Sequence, residues 1–130
     1  MTNTKECTEI SERISEIIKF AESIPIKYES ARSEVVKLDD LTQDYLHKLE
    51  LENLTEEEYA KIAMDIAECR KERRKSKDLT EVLTPVLDFL EQNAVIRSLN
   101  LLKETLGKVR KIEERLDGRK YGNRVLSDSE

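Results

Sequence analysis

The chain has 130 residues with a net charge of −5; 39% of them are charged, 3 are glycine, 2 are proline and none is tryptophan. This length suffices for one domain with one core. Because turn-forming residues are scarce and aromatic residues make up only 5%, the composition excludes a β-sandwich or a doubly wound sheet and predicts an all-α fold with long helices.

The first predicted helix covers residues 4–50. Its apolar residues alternate steps of three and four over six heptads, which is the a and d pattern of a coiled coil. They are Cys7, Ile10, Ile14, Ile17, Ala21, Ile24, Tyr28, Ala31, Val35 and Leu38, and the pattern continues through Thr42, Tyr45 and Leu49. Because Pro25 has no amide donor, we expect it to kink this helix, or to split it with Ser23 as a new N-cap.

A capping box begins the second predicted helix, which covers residues 56–92. Thr55 is the expected N-cap and Glu58 the residue at N3. We call the line of a and d residues along a helix its seam. The seam of this helix comprises Tyr59, Ile62, Ile66, Cys69, Arg73, Ser76, Thr80, Leu83, Leu87 and Leu90. A second kink is expected near Pro85, at nearly the height of Pro25.

The third predicted helix covers residues 94–117. Asn93 is the expected break before it, because asparagine tolerates the left-handed conformation that ends helices. The seam of this helix comprises Val95, Leu99, Leu102, Leu106, Val109, Glu113 and Leu116. Gly118 is expected to close the helix, and residues 118–130 form a predicted C-terminal tail.

The three seams can be combined by folding the chain back at residues 51–54 and again at residue 93. This predicts an elongated, coiled-coil-like antiparallel three-helix bundle over residues 1–117. Its layers include Ile17/Leu90/Val95, Ala21/Leu87/Leu99, Ile24/Leu83/Leu102 and Val35/Arg73/Glu113. Arg73 and Glu113 are therefore predicted to form a partly buried salt bridge, a structural polar layer that fixes the register. In the alternative, the second and third helices form one rod and the bundle assembles between chains.

The beginning of the first helix extends past the helices predicted to cover it. Its apolar residues Cys7, Ile10 and Ile14 form a candidate assembly seam. Because an exposed apolar seam is usually covered by another subunit or a partner, we expect a protein partner and a homo-oligomer.

Basic residues are concentrated in the second half of the chain. Residues 1–66 contain 8 basic and 16 acidic residues, whereas residues 67–130 contain 15 basic and 12 acidic residues. Candidate phosphate or partner contacts are Arg70, Lys71, Arg74, Lys75, Lys77, Lys108, Arg110 and Lys111. Nucleic acid or a nucleotide is one possible ligand, and a solvated helix face is the alternative. We interpret the acidic residues of the first half mainly as the solvent-exposed surface of the coiled coil. In the alternative, their carboxylates mimic the phosphate backbone of a nucleic acid.

The sequence predicts no catalytic, cofactor-binding or metal-binding residues. Two cysteines and a single histidine are too few for a structural zinc site or a di-metal bundle. Asp44 and His47 have no nucleophile placed beside them, and the three glycines form no phosphate-binding loop. No segment resembles a membrane span or a secretory signal. We therefore expect a non-enzymatic cytoplasmic protein with reduced thiols.

The second half of the chain carries short charge-rich motifs. They are Arg70–Asp78, Leu83-Thr84-Pro85-Val86, Leu106–Glu113, Arg119-Lys120-Tyr121 and Arg124-Val125. Through these motifs, roughly residues 65–126 resemble small helical coiled-coil proteins of phages of Gram-positive bacteria, a family without an established activity. The resemblance implies an accessory or host-takeover protein that acts in the host cytoplasm.

Together, the residues and the resemblance predict a phage-type interaction protein. It would bind a host or phage protein and modulate its activity. One example of such a partner is a nucleic-acid-directed defence enzyme, which the protein would inhibit. One alternative is a replication or recombination accessory that contacts nucleic acid or a nucleotide through its basic residues. The other alternative is a structural scaffold that uses the same exposed seams.

Overall fold

The computed structural model describes residues 2–118, with side chains from residue 9 onward. Three α-helices follow one another: α1 (Thr2–Leu51), α2 (Glu56–Leu90) and α3 (Asn93–Asp117). No strand occurs in this part of the chain. The all-α three-helix bundle predicted from the sequence is confirmed, and every helix end lies within two residues of its predicted place. Apart from Gly118, the predicted tail lies outside the described residues.

Both prolines lie inside helices that continue past them. α1 is one helix through Pro25, and α2 is one helix through Pro85. The alternative in which Ser23 begins a new helix is therefore wrong. Each proline removes one helical amide donor, which is the local reason for expecting a bend near these two residues.

The capping box at the start of α2 is confirmed. The Glu58 amide donates to the Thr55 hydroxyl oxygen at 3.2 Å, and the Thr55 amide donates to Glu58 Oε1 at 3.4 Å. Glu56 and Glu57 complete an acidic first turn, where carboxylates interact favourably with the positive end of the helix dipole. This local sequence therefore determines where the chain turns back after α1.

The break between α2 and α3 lies at Glu91 and Gln92, one position earlier than predicted. The Glu91 amide donates to the Leu87 carbonyl at 3.0 Å, and the Gln92 amide donates to the Phe89 carbonyl at 3.2 Å. Asn93 is already the first residue of α3. Glu91 itself has right-handed dihedral angles, so the left-handed asparagine cap expected from the sequence is wrong.

The chain forms two compact units, and α1 contributes to both of them. The hairpin unit comprises Ala21–Gln92, that is, the longer part of α1 together with α2. Its buried side chains are Ile24, Ala31, Leu38, Thr42, Ile62, Cys69 and Leu83. Ile24 is only 1% exposed. The buried Thr42 hydroxyl donates a hydrogen bond to the Leu38 carbonyl at 2.8 Å. This polar group is therefore buried with a hydrogen-bond partner.

The terminal unit joins α1 through Phe20 with α3. Its buried side chains in the described part of the chain are Ser11, Ile18 and Leu106. Every residue of the predicted α3 seam is buried or half-buried, from Val95 to Leu116. The periodicity therefore predicted the inward face of α3 correctly.

The inward face of α1 differs from the prediction in the terminal unit. Ile17, which was predicted to lie in a layer with Leu90 and Val95, is 55% exposed, whereas its neighbour Ile18 is buried. Ile10, which was predicted to be uncovered, is 54% exposed, and its neighbour Ser11 is buried. Adjacent helix positions differ by about 100° in direction, so α3 covers a different face of α1 from the one predicted. Both faces offer isoleucines, and the 3–4 spacing alone could not distinguish between them.

The predicted Arg73–Glu113 layer is wrong, because each residue has a different partner. Arg73 Nε donates to Asp39 Oδ1 at 2.5 Å within the hairpin unit. Glu113 Oε2 accepts a hydrogen bond from the Ser11 hydroxyl at 3.0 Å within the terminal unit. α3 therefore packs beside the beginning of α1, whereas the fold-back layers had placed Glu113 at the height of Val35.

Candidate interaction surfaces

The basic segment, residues 70–77 of α2, contains one partly buried ion pair. The Arg73 side chain is 19% exposed and that of its partner Asp39 is 44% exposed. Arg73 was predicted to lie on the seam, and its half-buried position agrees with that. This arginine is held inside the hairpin unit and is therefore a structural residue.

A second cation of the basic segment is neutralised locally. Lys75 Nζ lies 3.0 Å from Glu72 Oε1. The hydrogen bond and charge of Glu72 raise the pKa of Lys75 above its ordinary value of 10.5, and the charge of Glu68 adds to this effect. Lys75 is therefore less available to an external anion than its sequence position suggests.

The remaining cations of the basic segment face the solvent. Arg70, Lys71, Arg74 and Lys77 are exposed and have no ion pair with any residue that the structure describes. The first three line an open depression of about 650 Å³, together with Glu68 and residues 72, 73 and 75. All of its lining residues belong to α2. The candidate phosphate contact in α2 is therefore formed by the long side chains of a single helix.

The basic residues of α3 belong to the terminal unit. Lys108, Arg110 and Lys111 are exposed. Arg110 lines a shallow depression of about 280 Å³ whose other charged residues are Glu12, Glu16 and Lys19 of α1. The two carboxylates make the surroundings of Arg110 unfavourable for a phosphate group.

Glu113 lies at the contact between α1 and α3 in the terminal unit. One carboxylate oxygen accepts the hydrogen bond from Ser11, whereas Oε1 is buried and has no hydrogen-bond partner among the residues that the structure describes. A buried acceptor without a donor costs free energy. The hydrogen bond from Ser11 joins α1 and α3 at one register.

Two residues of the predicted assembly seam, Ile10 and Ile14, lie among the described side chains of α1. Ile10 and Ile17 are more than half exposed and Ile14 is half-buried; we call these three residues the α1 stripe. The side chain of Cys7, the first residue of the predicted seam, lies outside the described part of the chain. Ile10, Ile14 and Ile17 follow one another in steps of four and three, so they share one side of α1.

Sequence reasoning missed a second exposed apolar line, which lies on α2. Leu79, Val82 and Phe89 are 44%, 66% and 55% exposed, and Val86 is half-buried; we call these four residues the α2 stripe. Their steps of three, four and three are the signal that could have revealed them. The stronger seam through Leu83 masked this pattern.

None of the helices in residues 2–118 combines the length and apolar character that crossing a membrane requires. Within the same residues, no three histidine, cysteine, aspartate or glutamate side chains are grouped so that they could hold a metal ion. Cys69 is a buried free thiol.

Comparison with known proteins gives no relative. No protein-family model, no curated protein and no solved structure matches the chain.

Proposed function

We propose that this protein is a non-enzymatic interaction protein that binds and modulates another protein through the α1 stripe. The exposure of Ile10 and Ile17 carries the proposal. In the terminal unit α3 packs on the adjacent face of α1, where Ser11 and Ile18 are buried, and leaves Ile10 and Ile17 exposed. An exposed apolar line along a helix is typical of a binding surface for another helix.

The apolar area of the α1 stripe is large enough for binding of moderate affinity. Burying the exposed half of an isoleucine side chain contributes about 1 kcal/mol. Covering Ile10 and Ile17 together therefore contributes about 2 kcal/mol, which corresponds to a change of roughly 30-fold in affinity. The resemblance to small phage proteins supports a host or phage protein as the partner. A nucleic-acid-directed defence enzyme that the protein inhibits in the host cytoplasm is one example.

Affinity capture with matched variants tests this proposal. We expect a partner to be recovered with the wild type and with Ile26→Lys, and to be depleted at least tenfold with the double variant Ile10→Lys/Ile17→Lys. Ile26 is a suitable control because it is an α1 isoleucine that is 71% exposed and does not belong to the stripe. Equal recovery of the same proteins with all three chains would overturn the proposal.

A second candidate function is binding of nucleic acid or a nucleotide. The unpaired Arg70, Lys71, Arg74 and Lys77 favour it, whereas the net charge of −5 opposes it. If three of these cations contact phosphates of duplex DNA, the logarithm of the affinity should fall with the logarithm of the salt concentration with a slope of roughly −3. The triple variant Arg70→Glu/Arg74→Glu/Lys77→Glu should then abolish binding. A shallow slope and weak binding at physiological salt, unchanged by these substitutions, would exclude this role.

A further inference from the structure

We propose that the α2 stripe is a second, independent binding surface whose occupant is the α2 stripe of another copy of this chain. In this pair the two α2 helices run antiparallel about a twofold axis. The proposal does not depend on the α1 stripe, since the α2 stripe lies in the hairpin unit.

The side-chain order of the α2 stripe is self-complementary. Reversing the chain direction leaves its steps of three, four and three unchanged. In an antiparallel pair, Leu79 of one copy therefore lies opposite Phe89 of the other, and Val82 lies opposite Val86. The two outer layers then combine larger side chains and the two inner layers combine valines. All four layers are apolar, as knobs-into-holes packing between helices requires.

The charges beside the α2 stripe are compatible with this pairing. Asp78, next to Leu79, would lie near Leu90, the last residue of the second copy's α2, which carries no charge. The acidic residues Glu81 and Asp88 lie on the other side of α2, more than 100° from the centre of the stripe. No pair of like charges is therefore brought together at the stripe.

The apolar area determines how strong this association is. Four partly exposed side chains supply roughly 300 Å² from each copy, compared with about 800 Å² per partner in a stable interface. The expected dimer is therefore weak, with a Kd on the order of 100 µM. At low concentration the chain should be monomeric unless another surface associates.

Sedimentation equilibrium between about 10 µM and about 1 mM tests the proposal. We expect a reversible monomer–dimer equilibrium for the wild type and for Met64→Glu, and at least tenfold weaker dimerisation for Val82→Glu. Met64 is the control because it is 72% exposed on the same helix but does not belong to the stripe. Circular dichroism confirms that each variant remains helical. The double variant Ile10→Lys/Ile17→Lys should dimerise like the wild type, which separates this surface from the α1 stripe.

Cysteine cross-linking tests the antiparallel register. A mixture of Leu79→Cys and Phe89→Cys chains should form a mixed disulfide, because these positions face each other. Leu79→Cys alone should not exceed the wild-type background set by the native cysteines, since its two copies would lie about 15 Å apart along the helices. A wild-type monomer at every concentration, or dimerisation unaffected by Val82→Glu, would overturn the proposal. Efficient cross-linking of Leu79→Cys alone would overturn the antiparallel register.

Discussion

At the scale of single residues, the ion pair between Arg73 and Asp39 shows how a polar group is tolerated on an apolar seam. The arginine side chain is mostly buried, whereas the aspartate is 44% exposed. Water therefore weakens the attraction between Arg73 and Asp39. The ion pair contributes much less to the free energy of unfolding than a fully buried pair would. The pair links α1 to α2 within the hairpin unit at one defined height.

Removing the charge of Asp39 should destabilise the protein. We expect Asp39→Asn to lower the free energy of unfolding by about 1 kcal/mol, since Arg73 then keeps a partly buried charge without its counter-ion. Asp40→Asn is the matched control, because Asp40 is exposed and forms no ion pair with the described residues. Urea denaturation measures both variants. Equal stabilities of the two variants would show that the ion pair contributes nothing.

The glycine in the middle of α3 is a second residue with a predictable effect. A Cβ atom built at Gly107 meets no atom within 4 Å, so alanine fits without a clash. Alanine also restricts the unfolded chain and has the higher helix propensity. We expect Gly107→Ala to raise the free energy of unfolding by about 0.5–1 kcal/mol in urea denaturation. A loss of stability would show that another part of the protein approaches this position.

Lys75 provides a pH-dependent test of the basic segment. Its pKa is raised, mainly because it donates a hydrogen bond to Glu72. The favourable interaction is therefore fully present below pH 10.5 and is lost as the pH rises through the raised pKa. We expect Glu72→Gln to lower the pKa of Lys75 towards 10.5, which an NMR titration of the lysine side chain detects. An unchanged pKa would mean that Glu72 does not hold the ammonium group in solution.

At the scale of secondary-structure elements, the local signals in the sequence were sufficient to predict the helices. Thr55 and Glu58 determine the start of α2, because their reciprocal hydrogen bonds depend only on residues three positions apart. The seam of α3 was equally clear, since all seven of its residues from Val95 to Leu116 are buried or half-buried, whereas the apolar residues off the seam, Ile96, Leu101 and Ile112, are exposed. The inward face of a helix can be predicted from local sequence where one apolar line dominates.

The face that α1 presents in the terminal unit could not be predicted from the sequence in this way. Ile14, Ile17 and Ile18 offer two neighbouring apolar faces, and the packing of α3 decides between them. The hydrogen bond between Ser11 and Glu113 accompanies the face that is buried. The wrong Arg73–Glu113 pair has a different cause, because matching seam positions by height assumed a fold-back at residue 93, whereas Arg73 pairs with Asp39 and Glu113 with Ser11.

Two alanine substitutions at adjacent positions distinguish the two faces of α1. Ile18 is 6% exposed and Ile17 is 55% exposed. We expect Ile18→Ala to lower the free energy of unfolding by about 2–4 kcal/mol, because it leaves a cavity. Ile17→Ala should change it by no more than about 0.5 kcal/mol. Thermal denaturation compares the two variants, and the reverse order would support the face expected from the periodicity.

At the scale of the whole molecule, the described surfaces differ in what they can bind. The α1 stripe and the α2 stripe are apolar and suit helices. The unpaired cations of the basic segment, in contrast, suit a polyanion. Neither the short charge-rich motifs of the second half nor the charge asymmetry distinguishes these roles, because a charged helix face is compatible with both. The exposure of Ile10 and Ile17 is the observation that favours a protein partner.

The affinity of a purified captured partner for three forms of the protein tests this central claim most directly. Isothermal titration calorimetry would compare the wild type, Ile10→Lys/Ile17→Lys and Arg70→Glu/Arg74→Glu/Lys77→Glu. We expect the isoleucine variant to bind at least tenfold more weakly, because two charged side chains replace its apolar contacts, and the basic-segment variant to bind within threefold of the wild type. Wild-type affinity of the isoleucine variant, with binding lost in the basic-segment variant, would contradict the account.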